Sequence, residues 1–335
     1  MTTALFGVLD GGLLTTVQDA GRPDWTHLGV PESGAADPWS LAVANLLVGN
    51  ESAAAALEMT LVGPTLAVHA AVSIGLAGAD LGARIRGGRR LAPGRSHRLA
   101  ADDVLEISGD GPTEPGAGSR AYLAIPGGVD VPAVLGSRST CLAGGFGGLD
   151  GRPLRLGDQI TATGAAATVL GPELVWPDAE VGGGSRAVAA PATLRVVAGP
   201  ADGLDALVAR EWRVGFAADR IGVRLDGDPV VEGIGDETTT HGVPWGAIQV
   251  PPDGRPIVLG ADHQTTGGYR VVGVVISADL PLLGQLRPGA AVRLVATNRV
   301  AALVALQDRR SGLLAGAAAL RDAAGWDALI ESAGG

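Results

Sequence analysis

The sequence predicts a mainly β protein with some helix, arranged as two domains and a C-terminal helical tail. Three observations carry this reading. The 335 residues suit two domains rather than one. Fifty-three Gly and 21 Pro are too many for a helical bundle and fit a chain full of tight turns. A turn feeding an alternating strand occurs three times, at Leu99-Ala-Ala-Asp-Asp-Val-Leu, Leu154-Arg-Leu-Gly-Asp-Gln-Ile and Leu286-Arg-Pro-Gly-Ala-Ala-Val. A looser echo joins Leu76-Ala-Gly-Ala-Asp80 to Val258-Leu-Gly-Ala-Asp262. Two related halves would leave such a pattern, and short Gly/Ala-rich segments also produce it by chance. The domains are placed at 1–178 and 191–297, and the tail at 298–335.

Taken in order, Leu13 to Val17 reads as a short strand and Gln18 to Ala36 as a polar loop. Asp37-Pro38 starts a helix, with Asp as N-cap and Pro at the first helical position. It runs through Leu41, Ala44 and Leu47 to Gly49, a residue suited to ending a helix. Asn50 is expected to cap a second short helix through Leu57, after which short strands and turns reach about Thr168. Ala179 to Pro191, around Gly182-Gly183-Gly184-Ser185, is the linker candidate. A strand over Leu194 to Val197, a helix over Gly203 to Arg210 and further strands to Val295 follow. From Asn298 the Ala- and Leu-rich spacing is helical, with an expected interruption near Ser311-Gly312.

Composition excludes several function classes. A net charge of −10 with 18% charged residues argues against nucleic acid or an anionic membrane as partner. Mean hydropathy is +0.27, much of it owed to Ala and Gly. All 25 basic residues are arginine, so no Schiff-base, Walker or biotinylated lysine can come from this chain. Cys141 is the sole cysteine, which rules out an internal disulfide and points to a reducing, cytoplasmic setting; among small residues it reads as inert. Met1 to Leu14 lacks the basic residue of a signal peptide. The uncharged stretch Met59 to Ala79 is broken by Gly63-Pro64 and then alternates, which is strand behaviour.

Familiar catalytic signatures are missing. Gly144 to Gly151 places Asp150 where a dinucleotide fingerprint needs its third glycine, and Ser33 and Ser137 lack the spacing of a nucleophile elbow. The histidines stand singly at 27, 69, 97, 241 and 263, so no metal site is expected.

What remains is a series of polar, glycine-rich strings. The first half holds Thr16-Val-Gln-Asp-Ala-Gly-Arg22, Gly29-Val-Pro-Glu-Ser-Gly-Ala-Ala-Asp37, Ala44-Asn-Leu-Leu-Val-Gly-Asn50, Leu57-Glu-Met-Thr-Leu-Val-Gly-Pro64 and the segment Gly127 to Thr140. The second half holds Asp219 to Gly227, Gly246-Ala-Ile-Gln-Val-Pro-Pro-Asp-Gly254 and Asp262-His-Gln-Thr-Thr-Gly-Gly-Tyr269. In this order and spacing the chain resembles the allophanate hydrolase subunit 2 family over roughly residues 8 to 295. That family includes the carboxyltransferase A/B domains of urea carboxylase, the C subunit of bacterial 5-oxoprolinase, and antagonists of a sporulation-kinase inhibitor. Ile221 stands where the family usually has Met, and His263 where it commonly has Arg.

The residues of these strings suit polar recognition. Gln249 and Gln264 can donate to and accept from a lactam or ureido group. Arg138 with Ser139 and Thr140 can hold a carboxylate or phosphate. Asp37, Glu58, Asp130 and Asp262 are candidate bases. The bland alternatives are a helix cap for Asp37, an arginine partner or solvent for Glu58, and a turn cap for Asp130. Arg22, Arg220 and Arg224 read sooner as buried salt-bridge partners than as ligand contacts. His241 beside Gly242 is a proton carrier or a turn residue. Gln264, Thr265, Thr266, Gly267 and Gly268 lean to function, because a strand interior gains little from such polarity and paired glycines admit close backbone approach. Gly246 to Val250 should pair with Pro256 to Leu259 as a hairpin, placing Gln249 and Gln264 near one sheet end; with Thr266 they are expected to line one cleft, which Arg138 of the other domain reaches only if the two barrels pack side by side.

The resemblance implies two β-barrel domains of cyclophilin-like type. It also implies a subunit 1-type partner (the B-type subunit in 5-oxoprolinase) facing a shared cleft, and a third, lactam-utilisation-type partner, the A-type subunit. The implied reaction is ATP- and Mg²⁺-dependent conversion of 5-oxo-L-proline to L-glutamate by the complex, the chain alone being inactive. The alternatives are carboxyl transfer from carboxybiotin carried on another chain, and a non-enzymatic antagonist of a kinase inhibitor.

Overall fold

The computed structural model describes residues 4–114, 116–163, 171–177, 190–230 and 239–325. In the N-terminal half, β1 (Phe6–Asp10) and β2 (Leu14–Gln18) precede a 3-10 turn (Pro23–Leu28) and α1 (Pro38–Leu46). There follow β3 (Ala56–Thr60), β4 (Thr65–Val68), β5 (Val72–Gly78), β6 (Ala83–Ile85), β7 (Arg95–Leu99), β8 (Val104–Ile107), β9 (Arg120–Ala124) and β10 (Gln159–Ile160). They form two five-stranded sheets, ordered β10-β1-β4-β8-β6 and β2-β3-β9-β5-β7. Alternate residues of both sheets, among them Phe6, Leu66 and Leu105 from one and Leu57, Ile74 and Leu123 from the other, bury a shared core.

The second half comprises β11 (Ala192–Ala198), α2 (Leu204–Val208), β12 (Glu211–Val214), β13 (Gly222–Asp226), β14 (His241–Gly242), β15 (Ala247–Val250), β16 (Ile257–Leu259), β17 (Thr266–Gly267), β18 (Arg270–Val275), α3 (Leu280–Gln285) and β19 (Ala291–Ala296). Seven strands close into a barrel in the order β11-β18-β15-β16-β13-β12-β19. Trp212, Leu194, Ile248, Val258 and Leu294 fill it. The short strands β14 and β17 pair with each other outside the barrel. The expected hairpin is present: Ile248 pairs with Val258 and Gln249 with Ile257. The stretch 59–79 is strand and turn, as its alternation indicates, and no helix among the described residues is long and apolar enough to cross a membrane.

Two local expectations fail for visible reasons. Asn50 caps no helix: its side chain donates to Asn45 Oδ1 (2.9 Å) and to Ile125 O (2.8 Å), tying the end of α1 to the strand layer. The tail is one continuous helix, α4 (Arg299–Ala324), capped by Asn298 and unbroken at Ser311-Gly312. Glycine serves packing there. A Cβ on Gly316 would lie 2.3 Å from the Trp176 ring, so its absence lets α4 settle against Trp176 and Trp39 over α1. The linker candidate lies largely outside the described residues.

Candidate functional site

The two halves are joined by a buried polar network whose members come from distant parts of the sequence. Arg220, at the entry to β13, presents a planar fork to Asp262: Nε to Oδ2 at 2.7 Å and Nη2 to Oδ1 at 2.9 Å. Its Nη1 donates to Glu58 Oε1 on β3 (2.5 Å) and Nη2 also donates to Gly34 O (2.7 Å). Glu58 Oε2 accepts from Tyr122 Oη (2.7 Å) and from the Ala36 amide (2.8 Å). Asp37 caps α1 through Ser40 N (3.0 Å), accepts from Ser40 Oγ, and takes a third bond from Gln285 Nε2 of α3 (2.8 Å). Gln285 Oε1 in turn accepts from the Ser119 and Arg120 amides. Gly284 makes the approach possible, since a Cβ there would sit 2.1 Å from Ala36 O.

Electrostatics fix the protonation states in this seam. Burial opposes the Glu58 charge, but Arg220 and Arg120, with hydrogen bonds from Tyr122 and Ala36, outweigh it and hold the carboxyl below its usual range. Burial likewise opposes the Arg220 charge, and Glu58 and Asp262 reverse it, so Arg220 is held charged. Tyr122 is pushed well up by burial and by the charges of Glu58 and Asp37, which keeps its hydroxyl a donor. Of the candidate bases, Asp37, Glu58 and Asp262 are thus buried and committed to protein partners, while Asp130 is exposed.

The glutamine strings meet at one end of the barrel. Gln264 Nε2 donates to Gln249 Oε1 at 3.3 Å; Gln249 is buried and Gln264 exposed. Gln249 Nε2 is buried with no hydrogen-bond partner among the described residues. Gly267 lies against it, where a Cβ would stand 2.5 Å from that nitrogen. The β14–β17 ladder pairs His241 with Gly267 and Gly242 with Thr266, bringing His241 to the same place. His241 Nδ1 lies 3.1 Å from Thr239 O and His263 Nδ1 lies 2.6 Å from Gln264 O. A carbonyl can only accept, so each Nδ1 carries the proton and, in the neutral ring, each Nε2 is a bare acceptor. Neither Nε2 has a partner among the described residues. Thr265 and Gly268 are half-buried beside this cluster, and Thr266 is exposed.

Arg138, Ser139 and Thr140 lie in the other half, pinned to the protein. Asp19 accepts from the Arg138 amide (2.6 Å) and from Ser137 and Ser139 Oγ, and Thr140 Oγ1 donates to Val17 O (3.0 Å). The Arg138 guanidinium donates to Val131 O (2.9 Å), and no described bond links it to the glutamine pair. Arg22 departs from its expected ion pair: its guanidinium donates to Val134 O and Ser139 O and stacks on Phe146 at 5.0 Å. Arg224 is exposed on β13. Sequence reasoning missed Asp19, Tyr122 and Gln285. Tyr122 carried a signal, a single hydroxyl among the apolar Ala121, Leu123 and Ala124, which must find a partner when buried.

The carboxyltransferase domain, subdomain A and B, matches residues 28–296, and the chain belongs to that family. It is 34% identical to the C subunit of 5-oxoprolinase from Escherichia coli, over 90% of this chain and 94% of that protein. It is 33% identical to urea amidolyase of Lachancea kluyveri, over 87% of this chain but 17% of that protein. Among solved structures, TTHA0988 superposes with a TM-score of 0.77 at 36% identity, over 87% of this chain and 55% of that one. The Kluyveromyces lactis urea amidolyase gives 0.79 at 29% identity, over 93% of this chain and 20% of that one. The chain thus spans about half the length of the first and a fifth of the second.

Proposed function

We propose that this chain is the C-type component of an ATP-dependent 5-oxoprolinase, acting with B-type and A-type partner subunits in opening 5-oxo-L-proline to L-glutamate. The observation that carries the reading is the Gln249–Gln264 pair with its unpartnered, buried Nε2. A lactam presents a carbonyl acceptor and an N–H donor on adjacent atoms, and two primary amides side by side can answer both. A buried donor without an acceptor is costly in the free protein and is relieved by a ligand carbonyl. The relative matched over nearly its whole length bears the name of the 5-oxoprolinase C subunit.

Amide resonance makes lactam hydrolysis slow, and ATP supplies the activation by phosphorylation of the amide oxygen. The described residues contain no group of three or more His, Cys, Asp or Glu suited to a metal, and the chain has no lysine, so the reading assigns ATP and Mg²⁺ to the complex. The role given to this chain is to orient the lactam through the two amides and to offer His241 Nε2 as a proton acceptor beside them. Gly267 covers Gln249 Nε2, so a ligand reaches that nitrogen by displacing the two-residue β14–β17 ladder.

A second reading, carboxyl transfer from carboxybiotin on another chain to urea or a related amide, is favoured by the 93% coverage in the Kluyveromyces lactis superposition. The test is ATP-dependent release of glutamate from 5-oxoproline, with the chain alone and with its co-purified partners. Turnover only in the combined sample supports the proposal. Biotin- and bicarbonate-dependent carboxylation of urea would support the second reading, and no turnover in any combination would reject both.

A further inference from the structure

A cleft of about 320 Å³ opens in the seam between the two halves, away from the glutamine pair. One wall is the turn that carries Thr113, Glu114 and Ala117 ahead of β9, and the other is the stretch from Arg287 to Ala291 leading into β19. Arg213 of β12 flanks it and Gln285 lies in its floor. The strand ladders put it at the opposite end of the barrel from the amide site. Arg213 pairs with Ala291, and Ala192 with Val292, where β11 and β19 begin. Gln249 pairs with Val271, beyond the level at which Ala198 ends β11 against Gly273.

The two arginines that line this cleft differ from Arg195 and Arg293 of the same barrel, which are ion-paired. Arg195 is paired with Asp279 at 2.7 Å and Arg293 with Glu211 at 2.6 Å. Among the described residues Arg287 donates only to Gly118 O (2.7 Å) and Arg213 only to Gly289 O (3.3 Å), and neither has a carboxylate in ion-pair range. Arg287 is partly buried, and burial pulls its pKa down with no acid opposing it. Glu114 on the facing wall is exposed and joins neither arginine. Two arginines on one concave space, with Glu114 its one acidic lining residue and bonded to neither, can form a receptor for an anion. The volume lies at the lower end of small-molecule sites.

We propose that this cleft binds a small anion through a carboxylate or phosphate group held between Arg213 and Arg287, bridging the two halves. The floor residue makes the consequence specific. Gln285 ties Ser119 and Arg120 of one half to Asp37 at the start of α1, so an occupant rests directly on the contacts that set the halves against each other. Binding to the folded state alone raises the unfolding midpoint with ligand concentration.

The experiment titrates the full chain with inorganic phosphate and, separately, acetate, at ionic strength held constant with sodium chloride. Affinity is read by calorimetry and the unfolding midpoint by fluorimetry. The expected result is a saturable response to at least one probe, the tighter probe naming the group. Arg213→Ala should weaken that affinity about tenfold or more, the usual scale for losing a charged partner. Because Arg213 is exposed and makes one long hydrogen bond, this variant tests binding without endangering the fold. Glu114→Gln, which removes the one negative charge on the facing wall, should tighten it. A response that never saturates, one unchanged in Arg213→Ala, or none to either probe would overturn the proposal.

Discussion

Replacing Arg220 by alanine removes the cation at the centre of the seam, and the consequence follows from what each partner retains. Arg220, Glu58 and Asp262 have side chains 3%, 1% and 3% exposed, so none can turn to water. Glu58 keeps Tyr122 and the Ala36 amide, with Arg120 at 3.6 Å. Asp262 loses both bonds of its fork, and Gly34 O loses a donor. Stranding one partner of a buried ion pair costs about 3–5 kcal/mol. The lost carbonyl bond adds about 1 kcal/mol. A total near 4–6 kcal/mol is a large share of the roughly 5–15 kcal/mol that hold most folded proteins together. Urea unfolding at neutral pH, followed by tryptophan fluorescence, measures it, with Trp212 in the barrel core and Trp176 beside α1 reporting on the two halves. Adding Asp262→Asn to the variant should recover part of the loss, since an amide is cheaper to bury unpaired than a carboxylate. A loss below about 1 kcal/mol for Arg220→Ala would refute the view that this pair is the clamp.

Three further outcomes are expected. Gln264→Ala should lower turnover of the assembled complex about tenfold or more while unfolding stays within about 0.5 kcal/mol of the parent, because an exposed amide adds little stability but an orienting bond matters in a closed site; full activity would remove Gln264 from the site. Gly267→Ala pushes a Cβ onto the flexible end of Gln249, so stability should fall by about 1 kcal/mol or less while turnover drops sharply; unchanged turnover would mean that the Gln249 amide does not meet substrate. The lowered Glu58 pKa contributes stability that is complete above its unfolded value of about 4.3 and is lost as pH falls through the folded value. Unfolding midpoints of Glu58→Gln should therefore decline less steeply than the parent's between about pH 5 and pH 3, and parallel declines would show that Glu58 is not the titrating group.

The parts of the fold legible in the sequence are those set by neighbours in the chain. Asp37-Pro38 marked the start of α1 because an N-cap and a first-turn proline act within four residues. The Pro-Asp-Gly turn marked the β15–β16 hairpin for the same reason, and with it the meeting of Gln249 and Gln264. The seam was not legible. Glu58 and Arg220 lie 162 residues apart and Asp37 and Gln285 lie 248 apart, so nothing local in either string names its partner. Asp37 and Asp262 read as bases because an acid in a polar string looks the same whether it faces a ligand, a helix end and a glutamine as Asp37 does, or a buried arginine as Asp262 does. Ser311-Gly312 read as a helix break because a sequence shows the missing side chain and hides its surroundings, where Trp39 lies 3.6 Å from the place of the absent Cβ.

The seam and the amide site are one mechanical unit. Asp262 is gripped by Arg220 through its side chain, and its amide donates to Arg220 O (2.9 Å). Two residues earlier the Gly260 amide bonds Ile221 O (2.8 Å), and two residues later stands Gln264. The exposed member of the amide pair is therefore anchored within two residues of the clamp between the halves. Its buried partner, Gln249, sits on a strand paired on both sides, to β16 and to β18. The buried amide is thus held by barrel strands, as preorganised recognition requires, while Gln264 stands in the loop between β16 and β17. Among the described residues the two-residue β14–β17 ladder, carrying His241, lies against Gln249 through Gly267. An element with so few backbone bonds opens at far lower cost than the barrel strands. In the proposed reading the barrel strands give the orientation and the weakly held ladder gives the entry.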